Sequence, residues 1–139
     1  MSEETIIAWK STRKNGQPTY AKRGLPLPLN GQPGAWHDTG RDPILCASGV
    51  HACRTIRQMI YGGWLNEELW VAELRGAVVD EEDKCAARAG RLLYRLDTWN
   101  EQTARLFAAD CAEMVLDIAN DKRSVAAVLA ARRFAFGLI

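Results

Sequence analysis

The segment from Cys46 to Cys53 holds the densest group of side chains suited to chemistry, because two thiols and an imidazole lie close together. Thiolate and imidazole are both ligands for zinc, so Cys46, His51 and Cys53 form one candidate metal site. Structural zinc sites usually offer two ligand pairs on two short knuckles, and the sequence supplies no second pair. The spacing argues against zinc, and we predict no metal site.

His51 and Cys53 also form a candidate catalytic pair, since residues two apart on a strand point to the same face. A thiol beside an imidazole can lose its proton and act as a nucleophile. Neighbours on one strand rarely reach the hydrogen-bond geometry of a dyad, which distant segments usually assemble. The favoured interpretation is structural: Cys46 and Cys53 pack in the core, and His51 makes a hydrogen bond that fixes the turn at Gly49. That interpretation holds unless His51 lines a pocket.

A long irregular segment, residues 24–43, carries further binding candidates. Its glycines and prolines interrupt regular elements, and loops of this length are often functional. It contains Trp36 and His37, although Trp36 could serve only to pin the segment to the core. A ligand pocket would lie between Trp9, His51 and this segment. The candidate ligand-binding residues are therefore Trp9, Trp36, His37 and His51.

The standard catalytic and nucleotide-binding motifs are absent. The sequence has no glycine-rich phosphate loop, no Gly-x-Ser-x-Gly nucleophile elbow and no His-Glu-x-x-His zinc helix. The acidic run at residues 80–83 lacks the spaced ligands and the glycine of a calcium loop, and it indicates a solvated turn. Enzymatic activity is therefore the less favoured hypothesis.

Length and composition indicate one globular domain over residues 1–139. The chain is 47% hydrophobic and 25% charged, and it is long enough to hold a core without metals or disulfides. Its formal net charge is +1, with basic residues scattered among acidic ones, which argues against a nucleic-acid partner. The four cysteines are expected to be reduced thiols.

No stretch of the sequence is apolar over the roughly 20 residues that a membrane span requires. The N-terminal residues are acidic, whereas a secretory signal begins with basic residues and continues with an apolar run. We predict a cytoplasmic protein without a membrane partner.

The first two thirds of the chain predict a sheet that must position these residues. β-Branched and apolar runs indicate strands at 5–10, 44–53, 68–79 and part of 84–96, with a short returning strand at 20–23 after the Asn15-Gly16 turn. The strand at 68–79 is expected to be covered on one face. A short helix is expected at 54–61, ended by two glycines.

The last third predicts two helices. Thr98 and Glu101 fit a capping box for the first helix, and Ser124 can cap the second. One buried face of the first is expected to carry Phe107, Cys111, Met114, Val115 and Ile118. The inward residues of the second are expected to be Val125, Val128, Leu129 and Phe136. The fold class is therefore α+β: a small, twisted, mostly antiparallel sheet (1–96) and a C-terminal antiparallel helical hairpin (97–137).

The segment Cys46-x-x-Gly49-Val50-His51-Ala52-Cys53, the apolar helix after it and the strand Leu69–Gly76 resemble a group of small uncharacterised proteins from actinobacteria and their phages. Those proteins share a Gly-hydrophobic-His-Ala-Cys core. The segment Phe107–Glu113 is similar to one of theirs, so the likeness covers most of residues 44–137. The resemblance implies no activity. For a phage-encoded chain it implies a host protein as partner.

The chain also distantly resembles ADP-ribosyltransferases of the poly-ADP-ribose polymerase type. In that family one strand ends in His-Gly-Ser/Thr, a later segment reads Gly-hydrophobic-Tyr-Phe-Ala, and another strand ends in Val-x-Leu/Met-Gly. The similar segments here are Ile7–Ser11, Gly49–Ala52 and Leu69–Gly76. Trp9 stands in place of the NAD-binding His, Lys10 in place of the Gly and His51 in place of the stacking Tyr. The resemblance implies an NAD- or nucleotide-binding domain, active or degenerate.

Two classes of function follow from the sequence. The favoured class is a non-enzymatic interaction or regulatory module without a cofactor, which binds another protein or a second copy of itself. Aromatic residues are enriched where partners bury each other, and the aromatic candidates for this role are Trp36, Trp64 and Trp70. The alternative is an ADP-ribosyltransferase-like cleft for NAD or another nucleotide, located between Trp9, His51 and residues 24–43.

Overall fold

The computed structural model describes residues 4–119 and 121–139 of the chain. The chain divides into two compact units, Met1–Leu96 and Asp97–Ile139. The first unit contains the sheet and a short helix, and the second contains helices. The limit between the units coincides with the predicted limit between the sheet-rich and helical parts of the sequence.

The sheet of the first unit has five strands in the order β1-β4-β5-β2, and β3 also pairs with β5. Every pairing is antiparallel, which confirms the predicted fold class. The strands are β1 (Thr5–Thr12), β2 (His37–Asp38), β3 (Val50–Ala52), β4 (Glu68–Asp80) and β5 (Cys85–Arg95).

The long hairpin of β4 and β5 is the centre of this unit. Gly76 has a φ of 82°, which favours glycine, and the register shifts between Arg75 and Val78 at this bend. The acidic run 80–83 forms the turn, closed by a bond from Glu81 N–H to the Lys84 carbonyl (2.8 Å). Consecutive residues at the start of β4 are buried, so the prediction of one covered face is wrong for this half of the strand. Leu25, from the irregular segment, packs against one of those faces.

The predicted strand over 44–53 is correct only at β3. Residues 44–48 form a tight turn in which Ser48 N–H donates to the Ile44 carbonyl at 2.8 Å. The chain can turn here because Cys46 and Gly49 both have a positive φ, 62° and 109°. Residues 20–23 form bends and not the predicted returning strand. The strand predicted over part of 84–96 is longer than expected. Its alanine-rich start is also part of β5, where Ala86 and its neighbours are fully buried in the sheet.

The predicted short helix is present as α1 (Ile56–Tyr61). Thr55 begins it through a reciprocal capping box with Gln58, in which each side chain accepts a backbone N–H at the other residue. Gly62 follows as the C-terminal cap, and Gly63 has a φ of 73°. Met59 is the buried residue of this helix.

The second unit comprises α2 (Glu101–Glu113), α3 (Leu116–Ala119) and α4 (Lys122–Ala135). The capping box of α2 joins Asn100 and Thr103, not Thr98 and Glu101, because the Asn100 side chain accepts the Thr103 N–H at 3.0 Å. Similarly, Asp121 caps α4 in place of Ser124 by accepting the Arg123 N–H at 2.9 Å. Both helices start close to the predicted residue, since Asn and Asp are also good N-caps.

Helices α2 and α4 pack against each other through small side chains and an ion pair. Arg132 on α4 pairs with Asp110 (2.7 Å) and with Glu113 on α2. The buried residues of the two helices are Ala109, Val128 and Ala135. The predicted buried face is wrong for most of its members, which are exposed: Phe107, Cys111, Met114, Val115, Ile118, Val125, Leu129 and Phe136. A two-helix seam buries a narrow stripe, so the rest of each apolar face stays open. Among the described residues, no helix is long and apolar enough to cross a membrane.

Candidate functional site

A cleft of about 690 Å³ opens in the first unit. Trp9–Thr12 of β1 lines one part of it, residues from 16–25 another, and residues 46–53 a third. The lining is completed by His37, Met59, Lys84 and the segment 63–66. This volume falls in the range of about 300–1,000 Å³ that is usual for small-molecule sites.

Three of the four predicted ligand-binding residues, Trp9, His37 and His51, lie in this cleft, and so does Cys53. Trp9 and Cys53 are held together by two backbone hydrogen bonds of 2.7 and 2.8 Å, which join β1 to the end of β3. Trp36 is not part of the lining. The structure therefore brings three of the four candidates to one cleft and leaves Trp36 outside its lining.

Trp36 instead packs against two guanidinium groups. The Arg75 guanidinium lies 4.0 Å from the ring centroid and that of Arg91 lies 4.7 Å away. Cations over an indole ring are attracted by the negative face of the π system. Arg91 also pairs with Glu73 on β4 (2.8 Å), so Trp36 pins the irregular segment to the sheet, the alternative role that the sequence left open.

His51 holds the turn that precedes β3. Its Nε2 accepts the Cys46 N–H at 2.9 Å, and its Nδ1 lies 3.2 Å from the Gly49 carbonyl oxygen. An acceptor at Nε2 and a carbonyl facing Nδ1 require the neutral tautomer with the proton on Nδ1. Burial lowers the pKa of His51, which favours the same neutral form. The hydrogen bond at Gly49 is the one that the structural interpretation requires. The same interpretation is wrong for Cys46, which is exposed and does not pack in the core.

Cys53 is a protected thiol and not an activated nucleophile. Its Sγ donates to the Asp83 carbonyl oxygen at 3.4 Å. Burial raises the pKa of Cys53 to about 11, so the group is a thiol at neutral pH. Because both nitrogens of His51 are engaged elsewhere, His51 and Cys53 do not form a catalytic dyad in this structure.

Two lysines flank the turn held by His51. Lys10 Nζ donates to the His51 carbonyl oxygen at 2.7 Å, and burial lowers the pKa of Lys10. Lys84 Nζ donates to Cys46 Sγ at 2.8 Å and lies 4.7 Å from the centre of the Trp64 ring. The hydrogen bond to Cys46 raises the pKa of Lys84.

The described residues that line the cleft give it a positive and aromatic character. They include three cations, Lys10, Arg23 and Lys84, and no carboxylate. They also include three large aromatic rings, those of Trp9, Tyr20 and Trp64. Tyr20 and Trp64 meet edge to face with ring centroids 6.3 Å apart.

The sequence prediction of the site missed both lysines and Tyr20. A signal for Lys10 exists, because Lys10 alternates along β1 with Ala8 and Thr12, both buried. A lysine on the buried face of a strand is unusual and points to a site. No local signal marks Lys84, whose partner Cys46 lies 38 residues away in the chain.

No protein-family model, no curated protein and no solved structure matches the chain. The resemblance to ADP-ribosyltransferases stays a prediction from the sequence.

Acidification should weaken the turn that His51 holds. The lowered pKa of His51 means that the unfolded chain binds this proton more readily than the folded chain. The stabilisation is fully present above the ordinary histidine pKa of about 6.5 and is lost as the pH falls through it towards the folded value. Urea unfolding at neutral and mildly acidic pH should show this loss in the natural protein. His51→Ala should lower stability by about 1–2 kcal/mol at neutral pH.

The matched control for this prediction is His37→Ala, which removes the other histidine of the chain. The control should keep the pH dependence of the natural protein between neutral and mildly acidic pH, whereas His51→Ala should flatten it. An unchanged pH profile in His51→Ala would show that the imidazole does not stabilise the turn.

Proposed function

We propose that the cleft of the first unit binds a nucleotide-type ligand, that is, a small molecule with a flat ring and a phosphate group. The observation that carries the proposal is the combination of three cations and three large aromatic rings in one cleft, where no described lining residue is a carboxylate. Aromatic side chains stack on bases of any sequence, and lysine and arginine neutralise phosphate. This is the alternative function that the sequence left open, and the cleft favours it over an interaction module.

The two lysines suit the phosphate group in different ways. An ammonium has three donors, and Lys10 uses one of them on the neutral carbonyl of His51. A phosphate in the cleft would supply this partly buried cation with an anion, which offsets the cost of burying its charge. The side chain of Lys84 is 12% exposed and its ammonium is held by Cys46 and Trp64, so its charge is already fixed in position.

The proposal is one of binding, without a catalytic step. The pair that the sequence offered for catalysis supplies no base, because the ring nitrogens of His51 are engaged, and no thiolate, because Cys53 is protonated at neutral pH. NAD and ADP-ribose are the ligands that the resemblance to ADP-ribosyltransferases suggests, and both contain a base and phosphates. We therefore take them as the first ligands to test.

A thermal-shift series tests this function. The ligands are NAD, ADP-ribose and AMP, with adenosine and pyrophosphate as the separate halves. A ligand that binds only the folded state raises the unfolding midpoint with concentration. We expect NAD, ADP-ribose or AMP to raise it, and each half alone to raise it less. If none of the ring-and-phosphate ligands shifts the midpoint at saturating concentration, the proposal is wrong.

A second candidate function, binding of another protein, is favoured by the exposed apolar residues of the second unit. Met114 and Ile118 are 79% and 86% exposed, and Leu129 on α4 is 53% exposed. Exposed apolar groups of this kind are enriched at protein contact sites. The self-complementary case, pairing with a second copy of this chain, is the simplest, because most soluble oligomers are symmetric homo-oligomers.

If this apolar face pairs with a second copy, the chain should elute from a size-exclusion column as a dimer. Light scattering of the eluting peak measures its molar mass. Met114→Glu and Leu129→Glu should convert it to a monomer, because a charge in an apolar contact is costly. Met114→Leu is the matched control and should leave the dimer intact. A natural protein that is monomeric across a wide concentration range would contradict pairing with itself.

A further inference from the structure

Cys46 lies in surroundings unlike those of the other cysteines, because its exposed thiol faces a lysine. Its Sγ is 2.8 Å from Lys84 Nζ, and the residue lies at the edge of the cleft. The Lys84 side chain is 12% exposed, so the lysine is mostly enclosed while the cysteine that it contacts is exposed.

The contact between Cys46 and Lys84 is fixed from both sides. Lys84 Nζ also lies 4.7 Å from the centre of the Trp64 ring and 3.6 Å from a carboxylate oxygen of Glu81. On the other side, the backbone of Cys46 adopts a left-handed conformation, and its N–H donates to His51 Nε2 at 2.9 Å. The sulfur and the ammonium are therefore held together by several separate parts of the first unit.

The other three cysteines provide a comparison within the same chain. Cys53 and Cys85 are buried, and burial raises the pKa of each thiol, that of Cys53 to about 11. Cys111 is exposed on α2. The thiolate is the nucleophile in cysteine chemistry, and positive neighbours together with exposure select the reactive thiols. By these criteria Cys46 is the thiol most open to reaction with an electrophile.

We propose that Cys46 is a site of oxidation to a sulfenic acid by hydroperoxides, with Lys84 as the positioning residue. Cys46 Sγ attacks one peroxide oxygen, an S–O bond forms, and the O–O bond breaks. The sulfur loses two electrons to the peroxide, and the thiol proton leaves with the second oxygen as water or an alcohol. The Lys84 ammonium stabilises the negative charge that develops on the attacking sulfur before the neutral sulfenic acid forms. The proposal does not rest on the nucleotide ligand.

The experiment traps the sulfenic acid with a cyclic 1,3-dione during treatment with dilute hydrogen peroxide, and locates the label by peptide mass spectrometry. We expect the label at Cys46, with Cys53 and Cys85 unlabelled in the folded protein. Cys111→Ser should label at the rate of the natural protein. Loss of a hydrogen bond from a charged donor should slow labelling of Cys46 in Lys84→Gln by about tenfold. Lys84→Arg, which keeps the charge, should label faster than Lys84→Gln.

Two results would overturn the proposal. One is labelling of Cys111 as fast as that of Cys46, which would show that exposure alone decides. The other is an equal rate of Cys46 labelling in Lys84→Gln and in the natural protein, with circular dichroism confirming that the variant is folded. If Lys84→Gln does not fold, the comparison is made with Lys84→Arg and Lys84→Met, and equal rates in those two variants would likewise overturn the proposal.

Discussion

Replacing Glu68 with alanine should lower the free energy of unfolding of the first unit by about 3 kcal/mol. Glu68 is buried at the start of β4, where its Oε1 accepts the Gly16 N–H at 2.8 Å and its Oε2 pairs with Arg95 at 2.8 Å. Alanine would leave the buried Gly16 N–H and the Arg95 charge without this acceptor. Urea unfolding followed by tryptophan fluorescence measures the loss.

The matched control is Glu67→Ala, one residue earlier in the chain, where the side chain is exposed. Surface substitutions of this kind usually change stability by at most about 0.5 kcal/mol. A similar loss of stability in the two variants would show that the hydrogen bonds of Glu68 are not the cause.

The same carboxylate makes stability depend on acid pH. Burial pushes the pKa of Glu68 upward, but the hydrogen bonds from Gly16 and Arg95 outweigh it, and the pKa lies below its ordinary value. The unfolded chain therefore binds this proton first. The stabilisation is present above the ordinary pKa of about 4.3 and is lost as the pH falls through the lower folded value. Glu68→Gln should lose this part of the acid dependence.

Trp9→Ala should weaken binding of ADP-ribose by about tenfold to a hundredfold, since stacking of one base on an aromatic side chain contributes about 1–3 kcal/mol. Trp9 lies on β1, where both of its backbone groups are bonded to Cys53, so it lines the cleft from a fixed strand. Lys10→Met should also weaken binding of ADP-ribose, because it removes the cation that contacts the phosphates. It should change binding of adenosine little. Isothermal titration calorimetry measures both variants.

Trp36→Ala is the control for Trp9→Ala, because Trp36 packs against two arginines and is not part of the cleft lining. It removes an equally large ring and should bind ADP-ribose with the affinity of the natural protein. Equal losses of affinity in the two tryptophan variants would show that the effect comes from lost stability and not from stacking.

The parts of the fold that the sequence predicts are those with local patterns. The β-branched run of β1, the alternation of β4 and the stripe of α1 each fix an element within about ten residues. Trp9 and His51 reach one cleft through a contact that these patterns do not predict, the bridge between Trp9 and Cys53. The residues that cap α2 and α4 differ from the predicted ones, because several residues near each helix start are good caps. Only the folded geometry selects Asn100 and Asp121.

The parts that the sequence does not predict depend on contacts between distant residues. The Cys46–Lys84 pair forms because the turn before β3 meets the turn between β4 and β5, and neither turn contains information about the other. The exposure of Cys111 and Ile118 is also not predicted by the sequence. Periodicity marks an apolar face of a helix, but it does not show which other element covers that face. The chemistry of the cleft thus comes mostly from non-local contacts.

The most direct test of the ligand-binding cleft is a titration of ¹⁵N-labelled protein with ADP-ribose, observed at the indole N–H signals of its five tryptophans. The cleft proposal predicts that the signals of Trp9 and Trp64 shift in a saturable manner, while those of Trp36 and Trp99, which lie outside the lining, stay in place. Unmoved signals for Trp9 and Trp64 at saturating ADP-ribose, or equal shifts at Trp36 and Trp99, would contradict it.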